Sequence, residues 1–238
     1  MGEMIEIPTL DGEARFAAYL AEPGGAPRAA IIVIQEIFGV NANIRRKVDE
    51  WAAKGYLALA PDMFWRFAPG YDVDPDIPEQ LAQAMAQRSQ FDTDKAVADV
   101  EAALRHARAI GVGKVGVVGF CWGGAIAYLA ATRTDADASV GYYGRLIAEH
   151  LNEAHAIARP LMLHFGEEDP SIPTDVRAKI SEALASNPRV TIHEHAGAGH
   201  GFAAAFGKRR NENAAQHADA LTDEFFEHQI RHNFLRSS

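Results

Sequence analysis

The sequence predicts an α/β fold, a doubly wound and mostly parallel sheet with helices on both faces. Three observations predict it. Short continuous apolar runs, among them Ala29–Ile34, Leu57–Ala60 and Lys114–Val118, alternate with helix-length segments along the chain. The last of these runs leads through Gly119-Phe120-Cys121-Trp122-Gly123-Gly124 into Ala125–Ala131, giving strand, glycine-flanked turn and helix. Finally, Glu36, Cys121, Asp169 and His200 each lie just past such a run. In sheets of this kind that is where ligands bind.

The elements follow in order. Residues up to about Ala21 read as an antiparallel edge with an Asp-Gly turn in Thr9-Leu10-Asp11-Gly12. After the loop Glu22–Pro27, the strand Ala29–Ile34 ends in Gln35-Glu36-Ile37-Phe38-Gly39. A helix over Asn43–Ala53 stops at Lys54-Gly55, and the strand Leu57–Ala60 stops at Pro61-Asp62. Met63–Pro78, rich in proline and aromatic residues, reads as an irregular excursion over the site. Glu79–Arg88 reads as a short helix. Thr93–Ala109 reads as a longer one, with Thr93 as N-cap and Val97, Val100 and Leu104 on one face.

Past the glycine-flanked turn, strands are expected at Ala138–Gly144, Pro160–Phe165 and Val190–His195, with a helix over Thr174–Ala185. The last helix is expected over Asn211–Phe234, and His217, His228 and His232 on it read as exposed. No internal repeat or linker interrupts the pattern, so residues 1–238 read as a single domain.

Composition narrows the function. Hydrophobic residues make up 48% and charged residues 23%, an ordinary globular balance. A net charge of −9 argues against nucleic acid or an anionic membrane as partner. The lone cysteine leaves no intrachain disulfide, and the N-terminus shows no basic-then-apolar leader. These features point to the cytoplasm.

The chemistry centres on that cysteine. Glycine–x–nucleophile–x–glycine between a strand and a helix is the nucleophile elbow of the α/β-hydrolase fold. The flanking positions need glycine because strand and helix approach closely around a strained turn. A thiol there sits at a helix N-terminus, where the dipole favours thiolate, and the Trp122 N–H is free for an oxyanion. Cys121, Asp169 and His200 occur in the order nucleophile, acid, histidine. His200 would move the proton and Asp169 would hold its tautomer; Glu167, Glu168 and Glu194 are the competing acids. Two other readings stand beside this one. Cys121 could belong to a non-catalytic, redox-sensing ligand-binding module. His164, His193 and His195 could form a three-histidine metal site.

Gln35–Asn41, Pro61-Asp62, Gly119–Gly124, Gly141-Tyr142-Tyr143-Gly144, Gly166–Asp169 and Gly199–Phe202 together resemble the dienelactone hydrolase (carboxymethylenebutenolidase) family over nearly the whole chain. The resemblance implies a Cys121–His200–Asp169 triad and an oxyanion hole from the N–H groups of Ile37 and Trp122. It further implies that Glu36 helps form the thiolate when substrate binds. It implies a small lactone or ester substrate, no cofactor and a monomer.

The sequence departs from the family at the substrate pocket, which is expected to include Phe38, Leu81, Met85, Tyr143, Phe202 and Ala204. Leu81 and Ala204 stand where the family has two substrate-binding arginines, Met85 where it has a tyrosine, and Gly201 where it has a serine. The expectation is a less cationic pocket that prefers neutral substrates and leaves Glu36 without its partner. Arg66, Arg88, Lys208, Arg209 and Arg210 are the cations able to substitute.

Overall fold

The computed structural model describes residues 2–230. Eight strands form one sheet: β1 (Glu3–Pro8), β2 (Arg15–Ala21), β3 (Ala30–Ile34), β4 (Leu57–Pro61), β5 (Val115–Phe120), β6 (Ala138–Tyr142), β7 (Leu161–Gly166) and β8 (Val190–His195). Their spatial order is β1-β2-β4-β3-β5-β6-β7-β8. Strand β2 alone runs against the others, pairing antiparallel with both β1 and β4, and all pairings from β4 to β8 are parallel. Every residue of β3 to β7 is buried, as continuous apolar runs covered on both faces require. Edge strand β8 is only partly covered, and the expected alternation breaks at His193, which is half-buried like its neighbour Ile192.

Six helices cover the sheet: α1 (Ala42–Ala53), α2 (Pro78–Ala86), α3 (Thr93–Ala109), α4 (Trp122–Arg133), α5 (Thr174–Leu184) and α6 (Glu212–Ile230). The step from β3 to β4 runs opposite to the steps from β4 to β5 and β5 to β6. Right-handed crossovers therefore put α1 on one face and α3 and α4 on the other. Helix α6 joins α1, tied by Lys47–Asp219 and Lys54–Asp223 ion pairs and by the edge-on rings of Trp51 and Phe226.

At two helix starts the structure differs from expectation. Helix α3 is capped by Asp92, whose carboxylate accepts from the amides of Asp94 and Lys95, rather than by Thr93. Both types cap, and the backbone turns one residue earlier. Helix α4 begins directly at Trp122, taking in Gly123 and Gly124, which the sequence suggests as turn. The expected extension of the last helix to Phe234, with His232 on it, lies outside the described residues. No described helix is long and apolar enough to cross a membrane.

Under α6 the sheet carries a buried polar seam. Tyr142 shares a hydrogen bond with Thr222 (2.6 Å) and donates to Asp219 (3.2 Å), which Lys47 holds. His164 uses both ring nitrogens, Nε2 toward Thr222 (3.1 Å) and Nδ1 toward Nε2 of His195 (3.0 Å). The rings of His193 and His217 flank this pair. The three-histidine metal site is therefore not formed: among the described residues no group of three or more ligands is placed to hold an ion.

Burial holds His164 well below the usual histidine range. Burial, then the charges of His217 and His193, bring His195 down to about 4. Both groups bind fewer protons folded than unfolded, so stability present above about pH 6.5 is lost as the pH falls toward 4. The melting temperature is expected to fall steeply from pH 6.5 to 4.5, and less steeply in His195→Gln. An identical slope in that variant contradicts the assignment.

Candidate active site

The turn at Cys121 is built by steric exclusion. Cys121 has φ 56° and ψ −117°, a left-handed backbone that lifts its side chain off the end of β5. A Cβ at Gly119 would strike the Gly123 carbonyl, and one at Gly123 the carbonyls of Gln35 and Ile34. The glycines thus let α4 begin against the sheet without an intervening loop.

His200 bridges the other two residues. Its Nε2 lies 3.0 Å from Cys121 Sγ and its Nδ1 lies 2.7 Å from Asp169 Oδ2. The second oxygen of Asp169 accepts from the Ser171 amide at 2.8 Å, which fixes the carboxylate. Among the competing acids, Glu167 and Glu168 are exposed, and Glu194 is held by Arg177 at 3.0 Å. Burial opposes the charged form of His200. Thiolate charge at Cys121 and the hydrogen bond to Asp169 outweigh it and raise the ring to about 10. The amide of Trp122, first in α4, has no intrahelical acceptor, and the Ile37 amide has no partner among the described residues. Both residues line the cavity beside Cys121.

Glu36 is 3% exposed and is not left alone. Arg209 grips it with two hydrogen bonds, 3.0 and 2.9 Å, while its guanidinium lies 4.9 Å above the Phe38 ring. Gly201 makes the space: a Cβ there would come within 2.6 Å of Arg209 Nη1. The cation that holds Glu36 thus comes from further along the same loop between β8 and α6.

The site opens into a cavity of about 560 Å³. Phe38, Leu81 and Met85 line it, as do Arg88, Arg145 and Arg209. Three guanidinium groups correct the expectation of a cation-poor pocket and of a Glu36 without partner. Three other pocket residues stand apart from the lining. Tyr143 and Phe202 are fully buried and pack on each other, with Tyr143 against His200 (ring centroids 5.2 Å). Ala204 is buried, and its carbonyl accepts from Arg210.

The irregular stretch after β4 also differs from expectation. Instead of lining the cavity it backs one wall, with Phe64 stacked on Phe91 (4.6 Å) and tilted against Trp122 (5.5 Å). Sequence reading missed Phe91, Arg145 and Leu146, which no local pattern marks.

Comparison with known proteins extends this picture. The model of the dienelactone hydrolase family matches residues 16–230. The chain belongs to the dienelactone hydrolase family. Family relatives include the carboxymethylenebutenolidase of Pseudomonas putida, 40% identical over 203 residues, covering 84% of this chain and 86% of that one. The carboxymethylenebutenolidase 1 of Cupriavidus pinatubonensis is 34% identical over 224 residues, 93% and 95% of the two chains. Among solved structures, one from Klebsiella pneumoniae aligns at a TM-score of 0.81 with 28% identity, covering 95% and 98%. Esterase 2 of Thermogutta terrifontis aligns at 0.70 with 22% identity over 100% and 96%, and shares the fold. As a family member this chain is a carboxylic ester or lactone hydrolase.

Proposed function

We propose that the chain is a thiol-dependent hydrolase of lactones or activated esters that carry an acid group, acting through an acyl-cysteine. The single observation that carries the reading is the run Cys121–His200–Asp169 at 3.0 and 2.7 Å, opening on a cavity lined by three arginines.

In the first half-reaction Cys121 Sγ attacks the carbonyl carbon, and the oxyanion is met by the amides of Ile37 and Trp122. The carbon–oxygen bond then breaks, and the leaving alkoxide takes the proton from His200 Nε2. In the second half-reaction neutral His200 takes a proton from water, and the hydroxide oxygen adds to the thioester carbon. The sulfur leaves as thiolate, with the proton remaining on His200. Glu36 and Arg209 tune the start of this cycle. A substrate acid competes with Glu36 for Arg209, so catalysis is coupled to recognition of the acid.

Two measurements test the reading. The ratio of kcat/KM for a carboxylate-bearing lactone over its neutral methyl ester is expected to exceed about tenfold, as charge-assisted hydrogen bonds predict. A ratio at or below one rejects the acid-bearing substrate. The pH profile tests the pair. Since His200 is raised from 6.5 to about 10, its protonated form and the stability it lends are complete below 6.5 and are lost as pH rises through 10. Activity is expected to hold through neutral pH and decline along that alkaline limb. A limb centred near 7 contradicts it.

A further inference from the structure

A second cavity of about 170 Å³ lies against the first. The two share two lining residues, Phe91 and Trp122, whose ring centroids are 5.0 Å apart. Its other lining residues are half apolar, Met63, Phe64, Phe67 and Ala96 of α3, and half polar, Arg66, Gln90, Asp92 and Lys95. Four aromatic side chains, Phe64, Phe67, Phe91 and Trp122, line it, and its volume is enough for one aromatic ring.

A second observation concerns Trp122, which borders both cavities. Trp122 is 5% exposed, and its Nε1–H is buried without an acceptor among the described residues. A buried donor with no acceptor is costly, and an indole N–H inside a protein ordinarily finds a partner. Trp122 also follows Cys121 directly, so a group touching its ring is one residue from the reacting sulfur.

We infer that the cavity behind Phe91 and Trp122 is a second substrate subsite, taking a ring-sized apolar arm with a hydrogen-bond acceptor at its inner edge for Trp122 Nε1. The inference rests on the hydrolase reading above and names the substrate more closely. With the acid group on the acyl half drawn to the arginines, the arm belongs to the alcohol half. Phe91, half-buried between α2 and α3, is the side chain that must yield for the arm to enter.

Three monoesters of glutaric acid test this: methyl, 2-phenoxyethyl and 3-phenylpropyl. The last two differ only by an ether oxygen replaced with a methylene. The phenoxyethyl ester is expected to exceed the methyl ester in kcat/KM by about tenfold or more, as burial of a ring predicts. The phenylpropyl ester is expected to fall about threefold or more below the phenoxyethyl ester, the loss of one acceptor. Ala96→Leu, which fills the cavity away from the reacting atoms, is expected to erase the advantage of the arm and leave the methyl ester unchanged. Equal rates for methyl and phenoxyethyl esters in the wild type overturn the subsite. So does an advantage that survives Ala96→Leu. If none of the esters is hydrolysed, the hydrolase reading fails instead, and calorimetric titration of phenetole decides the subsite separately. Binding that Ala96→Leu abolishes upholds it; no binding to the wild type overturns it.

Discussion

Replacing Cys121 with alanine is expected to lower kcat/KM for every ester and lactone substrate by at least about a thousandfold, with the fold retained. The reason is chemical. His200 and Asp169 can still orient a water, and the amides of Ile37 and Trp122 still face the carbonyl, but no group remains to form the acyl-enzyme. The partly exposed sulfur makes one hydrogen bond, to His200, so its loss removes little packing. The alanine side chain must also accept the left-handed backbone already present at 121, which makes no new demand on the turn. Steady-state kinetics with a thermal melt checks this. Activity within tenfold of wild type in a folded variant places the chemistry elsewhere.

The second large effect is expected at Arg209. Arg209→Ala leaves Glu36 buried at 3% exposure with no counter-charge, the situation in which removing one partner of a buried pair costs about 3–5 kcal/mol. For a chain of this length that lowers the melting temperature by about 10 °C. The charge also loses its place over the Phe38 ring. Toward acid-bearing substrates, kcat/KM is expected to fall about a hundredfold, while neutral esters lose far less. Arg209→Ala combined with Glu36→Gln separates the two consequences. It restores most of the stability, because the orphaned charge is gone, and leaves the substrate effect in place. A double variant no more stable than the single one argues against a buried-charge penalty.

Much of this architecture can be read in the residues themselves. Strands β3 to β7 are covered on both faces, so their sequences are almost unbroken apolar runs; Glu36, Cys121 and Asp169 each follow one of them, while His200 follows the edge strand β8. The glycines around Cys121 are equally visible, since each marks a place where a side chain meets backbone. The Arg209–Glu36 pair is not visible, because its partners are 173 positions apart and meet only through the path of the loop between β8 and α6. Local patterns also do not say which side of a wall a loop occupies. The aromatic stretch after β4 therefore reads as a cover for the site, yet its rings stack behind Phe91 and Trp122. Tyr143 misleads for a similar reason. It stands next to site residues in the chain but turns into the core at φ 40°.

The contact between Gly201 and Arg209 carries an evolutionary consequence. A side chain at 201 would crowd the guanidinium that reaches Glu36 from 209, so the two positions are coupled. Changing both is expected to differ from the sum of the two single changes, the signature of non-additivity between neighbours. Substitutions at 201 and 209 should therefore be accepted together more readily than singly, and the hold on Glu36 can be rearranged while the chemistry at Cys121 stays unchanged.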